Sequence, residues 1–148
     1  MPIPMFTIGF TQKTAETFLT SLHDHQISVL VDIRLRPDSQ LAGFAKARDL
    51  RYFLRAINQC GYVHMPSLTP TDDILDTYRK DKDWGRYDIA FNALLRERKI
   101  EETLDQAWWT GERACLLCSE YEPDHCHRRL VAEYLASHWK EVIIHHII

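Results

Sequence analysis

Apolar and polar positions along this chain fall into two alternating rhythms. Short, nearly continuous apolar runs stand at 5–9 (MFTIG), 28–33 (SVLVDI), 62–65 (YVHM), 114–118 (ACLLC) and 141–146 (EVIIHH). Runs this short, rich in β-branched residues and bounded by Gly, Pro or charge, predict buried strands. Between them apolar residues recur at helical spacing. Ala15, Phe18, Leu19 and Leu22 predict a first helix capped by Thr11 or Thr14, and Ala47, Leu50, Phe53, Leu54 and Ile57 predict a second, closed by Cys60-Gly61. Residues 72–86 (DDILDTYRKDKDWGR) hold a short helix at best, with Trp84-Gly85 as a break. Ala90, Phe91, Leu94 and Leu95, then Leu104, Ala107 and Trp108, carry one long or two short helices ending at Gly111. Leu130, Val131, Tyr134 and Leu135 mark a last one.

Strands alternating with helices predict an α/β protein: a three-layer sandwich around a mainly parallel, doubly wound, Rossmann-like sheet of about five strands. The expected strand order is 3-2-1-4-5, with ligands bound at the carboxyl ends of the strands where the winding reverses. Three polar clusters then fall on one edge: Gly9-Phe10-Thr11, Asp32 with Arg34, and Cys118-Ser119-Glu120.

A length of 148 residues fits a single domain spanning 1–148. A net charge of −3 offers no global reason to bind nucleic acid or an anionic membrane, although a local basic patch is compatible with it. No apolar run approaches the roughly 18 residues that cross a bilayer, and the N-terminus lacks a basic, cleavable leader. Four cysteines, one of them remote in sequence, do not form a disulfide framework, so a cytoplasmic location is expected.

The chemistry concentrates in 114–135, ACLLCSEYEPDHCHRRLVAEYL. Cys118 ends a strand beside Glu120. With Asp124 as N-cap, Cys126 and His127 fall in the first turn of the last helix, where the dipole and free N–H groups favour a thiolate or another anion. Arg128 and Arg129 suit forked recognition of phosphate or carboxylate. Asp32 and Arg34 lie on one face of their strand, where a local ion pair between them is compatible with orienting a ligand. Cys60 and Cys115 are read as packing residues, as are Trp84, Trp108, Trp109 and Trp139, some of them at the rim. His23 and His25 answer a helix dipole. Neither a dinucleotide fingerprint nor a P-loop is present.

Several of these segments together resemble a known family. TIGF-T near the N-terminus, D-x-R-x-x-P-x-S at 32–39, Gly43-Phe44, and LLCSE-x-x-P-x-x-CHRRLVA at 116–132 are similar, in the same order, to the DUF488 family of small, largely bacterial and archaeal proteins. The resemblance implies a single α/β domain with motif residues Gly9, Asp32, Arg34, Pro37, Ser39, Phe44, Cys118, Glu120, Cys126, His127 and Arg128. It departs from the family at Phe10-Thr11, where a small or polar residue and serine are more usual, and at Thr69, where glycine is.

The expected function is an enzyme of hydrolase or transferase type acting on a small phosphorylated or nucleotide-like substrate, or on a nucleic-acid base. Cys118, Glu120, Cys126 and His127 are its catalytic candidates. Gly9, Thr11, Asp32, Arg34, Ser39, Phe44, Arg128 and Arg129 are its binding candidates. No cofactor is predicted and no membrane partner. One alternative is a zinc or iron site on Cys118, Cys126 and His127 with Glu120 beside them, against which stands the roughly 100° between neighbouring side chains on a helix. Another is a non-catalytic ligand-binding module.

Overall fold

The computed structural model describes residues 2–38 and 43–148. Five strands, β1 (Ile3–Gly9), β2 (Val29–Asp32), β3 (Gly61–His64), β4 (Ala114–Cys118) and β5 (Val142–Ile147), form one sheet with every pairing parallel. Among the described residues seven helices connect them: α1 (Ala15–Asp24), α2 (Ala47–Phe53), α3 (Asp72–Asp81), α4 (Trp84–Arg98), α5 (Ile100–Thr103), α6 (Gln106–Gly111) and α7 (His127–His138). Short 3-10 turns lie at Gly43–Ala45 and Pro66–Leu68, and α2 runs on into a π turn, Leu54–Asn58. No described helix is long and apolar enough to cross a membrane.

The strand order is 3-2-4-1-5, so β1 and β4 are exchanged relative to the expected 3-2-1-4-5. β4 is the central strand, buried at all five residues and paired on one side with β1 and on the other with β2. Its alternate residues feed two separate cores. Cys115 and Leu117 pack with Phe18, Leu19, Leu22, Leu50 and Leu54 of the α1–α2 layer. Ala114 and Leu116 pack with Phe91, Leu95, Val131 and Leu135 of the α4–α7 layer. The chain leaving β4 therefore departs to the face opposite from that taken by the chains leaving both neighbours. A crevice opens at the carboxyl edge where such departures diverge.

Several local boundaries also differ. Of the two caps expected for α1, Thr14 serves, its hydroxyl accepting from the Thr17 amide. Residues 72–86 contain two good helix starts, Thr71 accepting from the Ile74 amide and Asp83 from the Arg86 amide. The break lies at Lys82, which is left-handed (φ 55°), and Trp84 begins a helix. The second helix stops at Gln59 (φ 53°), ahead of Gly61. At α7 the N-cap is Cys126, in extended conformation, in place of Asp124.

Candidate functional site

Exchanging β1 and β4 puts the Cys118 cluster between the other two, with β1 and β2 as its neighbours. Gly9 of β1 lies opposite Cys118 in register, and Asp32 of β2 opposite Leu117. The segment after β4 must turn across the sheet edge toward α7, and Gly9 makes that path available. A Cβ on Gly9 would fall 1.6 Å from the carbonyl oxygen of Glu120. Glycine is thus required by the close approach of the 119–121 backbone.

Every neighbour of that segment pins it. The Thr11 amide donates to the Ser119 carbonyl at 3.1 Å, and the Thr11 hydroxyl donates to the same oxygen. Lys13 Nζ donates to the Gly9 carbonyl at 2.8 Å and lies 4.6 Å from the Tyr121 ring centroid. Arg128 is fully buried. Its Nη1 donates to the Glu120 carbonyl, its Nη2 to the Tyr121 carbonyl at 3.2 Å, and its Nε to the Thr7 hydroxyl at 3.2 Å. Thr7 in turn reaches His146 Nδ1 at 2.6 Å.

At the end of β4, Cys118 Sγ lies 3.3 Å from His127 Nδ1. The other ring nitrogen, Nε2, is 2.7 Å from the Ile33 carbonyl oxygen. A carbonyl only accepts, so Nε2 carries hydrogen, and Nδ1 of the neutral ring is the acceptor that faces the thiol. Burial pushes the Cys118 thiol up. The Cys126 thiol, the Arg128 charge and the N–H groups of Ser119 and Glu120 all favour its thiolate, and their sum holds it below the ordinary 9.0. Cys126 moves the other way, raised well above 9.0 by burial and by donating its proton toward Cys118. The sulfur atoms of Cys118 and Cys126 and a ring nitrogen of His127 all lie within 4.8 Å of one another.

This cluster borders a cavity of about 330 Å³, within the range of small-ligand sites. Arg34, Arg36, Arg79 and Lys82 carry the positive charge of its lining, the three arginines paired with Asp32, Asp72 and Asp76, and Glu120 is the only acidic residue among the described ones that line it. Arg34 is 2% exposed and paired with Asp32 through Nε (2.8 Å) and Nη2 (2.6 Å), while its Nη1 has no hydrogen-bond partner among the described residues. Asp32 also accepts from the Tyr62 hydroxyl at 2.5 Å. Burial and that bond raise the phenol far above its usual range. An aromatic wall is made by Tyr78, Trp84 and Tyr87, with exposed His125 stacked on Trp84 at 5.1 Å. The indole N–H of Trp84 is a second buried donor at the cavity without a partner among the described residues.

The structure therefore brings together Arg34, Cys118, Glu120, Cys126 and His127 among the expected site residues. It assigns others elsewhere. Gly9 and Thr11 lie behind the 119–121 segment and hold it. Asp32 holds Arg34 and does not line the cavity. Phe44 packs on Phe18, with centroids 5.5 Å apart, in the α1–α2 core. Arg128 spends its donors on the Glu120 and Tyr121 carbonyls and the Thr7 hydroxyl, and Arg129 pairs with Glu133 at 3.6 Å along α7. Ser39 lies outside the described residues. Sequence reasoning missed Arg36, Tyr78, Arg79, Lys82 and His125, and treated Trp84 only as a packing or rim residue. The available signal was the helical spacing of Leu75, Tyr78, Arg79 and Lys82.

Compared with known proteins, the chain matches no curated protein and no solved structure. A family model does match, over residues 14–135, and its span contains every residue that lines the cavity. On that match the chain belongs to the family described as Domain of unknown function DUF488.

Proposed function

We propose that the protein is an enzyme of hydrolase or transferase type in which Cys118 is the nucleophile and the substrate is small and phosphorylated or nucleotide-like. The observation that carries this reading is the line Cys118 Sγ, His127 Nδ1, His127 Nε2–H, Ile33 carbonyl at the wall of a cation-lined cavity. A thiol, a base that accepts its proton and a third group orienting that base are the parts nucleophilic catalysis needs. In this scheme Nδ1 takes the Cys118 proton as Sγ attacks the substrate's electrophilic centre. The leaving group departs with that proton. Water then displaces Sγ, giving up a proton to Glu120 or His127, and the free thiol is restored. The guanidinium and ammonium groups suit an anionic substrate group, and the aromatic wall suits a planar one. Four free cysteines fit a reducing compartment such as the cytoplasm.

The test is labelling by iodoacetamide, combined with turnover of phosphomonoester and nucleotide substrates. Fast, single-site alkylation at Cys118 that abolishes turnover, and inactivity of Cys118→Ser with an intact fold, are the expected results. A Cys118 inert to alkylation, or an active Cys118→Ser, refutes the nucleophile.

A second reading has its own observation. Cys126 sits ahead of α7 in extended conformation (φ −135°, ψ 139°), so the helical divergence from His127 does not apply, and the three ligand atoms converge. The His127 N–H to a backbone carbonyl is the outer-shell contact that orients metal-binding imidazoles. Zinc or ferrous iron suits this set. One equivalent of metal in protein purified without added metal favours this reading over the nucleophile, and metal-free protein with a reactive Cys118 excludes it.

A further inference from the structure

We infer that Cys118 and Cys126 form a redox-active dithiol, which a hydroperoxide converts to an intramolecular disulfide. The inference rests on the reading of Cys118 as a nucleophile reachable from the cavity, and adds a role for Cys126 that the proposed reaction does not use. Both sulfur atoms belong to residues that line the cavity, although the residues themselves are only 5% and 2% exposed. They already lie within 4.8 Å, and a disulfide needs about 2 Å. The remaining approach falls to Cys126. Cys118 is fixed in the central strand, whereas Cys126 ends an irregular segment and precedes the first helical turn. The other two thiols are placed differently. Cys60 and Cys115 pack in the α1–α2 core, on the opposite face of the sheet from the cavity.

The chemistry balances without any further component of the site. Cys118 sulfur attacks the terminal oxygen of the hydroperoxide and the O–O bond breaks. The alcohol, or water from hydrogen peroxide, leaves with the proton that His127 Nδ1 took from the thiol. Cys118 is thereby oxidised to the sulfenic acid. The Cys126 sulfur then attacks the Cys118 sulfur, the S–O bond breaks, and the hydroxyl departs with the Cys126 proton as water. Two electrons have passed from the dithiol to the peroxide. An external dithiol returns them by exchange, so with such a reductant the site turns over as a peroxide reductase.

The full chain, reduced, chelated and desalted, is treated with hydrogen peroxide and followed by intact mass and non-reducing peptide mapping. The expected product has lost two hydrogen atoms and two of its four thiols, carries one Cys118–Cys126 link, and regains all four thiols with dithiothreitol. Cys126→Ser is expected to stop at one added oxygen on Cys118, trapped by dimedone, while Cys60→Ser and Cys115→Ser behave like the wild type. The mapping on unmodified protein needs no variant to fold. A link between any other pair, or a two-hydrogen loss that persists in Cys126→Ser, overturns the inference. So does wild-type protein whose Cys118 alkylates with iodoacetamide yet forms no disulfide, and that result leaves the nucleophile reading standing. Inertness to both reagents removes both.

Discussion

Adding one methyl group at Gly9 tests whether the site depends on the packed backbone behind it. In Gly9→Ala the new Cβ meets the Glu120 carbonyl oxygen at 1.6 Å, its carbon at 2.6 Å and Arg128 Nη1 at 2.7 Å. Contacts below 3.0 Å are not tolerated, so the carbonyl must retreat from 1.6 Å to at least 3.0 Å, by about 1.4 Å. That oxygen is the acceptor for Arg128 Nη1, and the adjacent Ser119 carbonyl is held twice by Thr11. Overpacking costs about 1–3 kcal/mol, and disturbing a hydrogen bond from a buried guanidinium costs about 1.5–3 kcal/mol more. We expect Gly9→Ala to lose about 2.5–6 kcal/mol, a large part of a stability that is typically about 5–15 kcal/mol. Urea unfolding measures the loss, and Cys118 alkylation in the folded variant reports displacement of the Ser119 and Glu120 amides. A variant within about 1 kcal/mol of wild type with unchanged Cys118 reactivity would refute the reasoning.

Two further outcomes follow from buried groups. Asp32→Asn leaves the Arg34 guanidinium, 2% exposed, without its carboxylate, and breaking a buried pair in this way costs about 3–5 kcal/mol; a denaturant midpoint close to wild type would contradict it. Alkylation should also be selective with pH, because the thiolate is the reactive form. Cys118 is held below 9.0, so it keeps a thiolate fraction as pH falls under that value, while burial moves Cys60 up to about 11 and Cys115 and Cys126 well above 9.0. At about pH 8 one thiol should label, and it should map to Cys118, with Cys60 joining only as the pH nears 11; even labelling over the four would sink the assignment.

The sheet was legible to the extent that burial differs between strands. β5 alternates half-buried and exposed positions and β3 is nowhere fully buried, as edge strands are, while β1, β2 and β4 are apolar nearly throughout. That contrast separates edge from interior. It carries no information on which interior strand is central, since β1 and β4 would satisfy either place equally, and only the pairing decides. Helix α3 was hidden for a different reason. It has no fully buried residue, and the stripe it turns toward the cavity mixes Leu75 and Tyr78 with Arg79 and Lys82. Its two faces differ strongly, but its mean hydropathy is low, so the segment reads as a charged stretch before it reads as a helix.

The site was legible in residue types and not in their partners. A sequence displays side-chain donors but not the backbone carbonyls that need them, which is why Arg128 reads as an anion ligand and turns out to hold Glu120 and Tyr121 in place. The same omission inverts the two cysteines. Placing Cys126 at a helix N-terminus makes it the acidic thiol on dipole grounds alone. In the folded chain Cys126 stands one residue outside the helix and gives its hydrogen toward Cys118, which also receives the Ser119 and Glu120 amides and the field of Arg128. Cys118 at the strand end is therefore the more acidic thiol of the two, and Cys126 at the helix cap the less acidic. In the proposed reaction that asymmetry gives attack to Cys118 and leaves Cys126 as the group that can follow it.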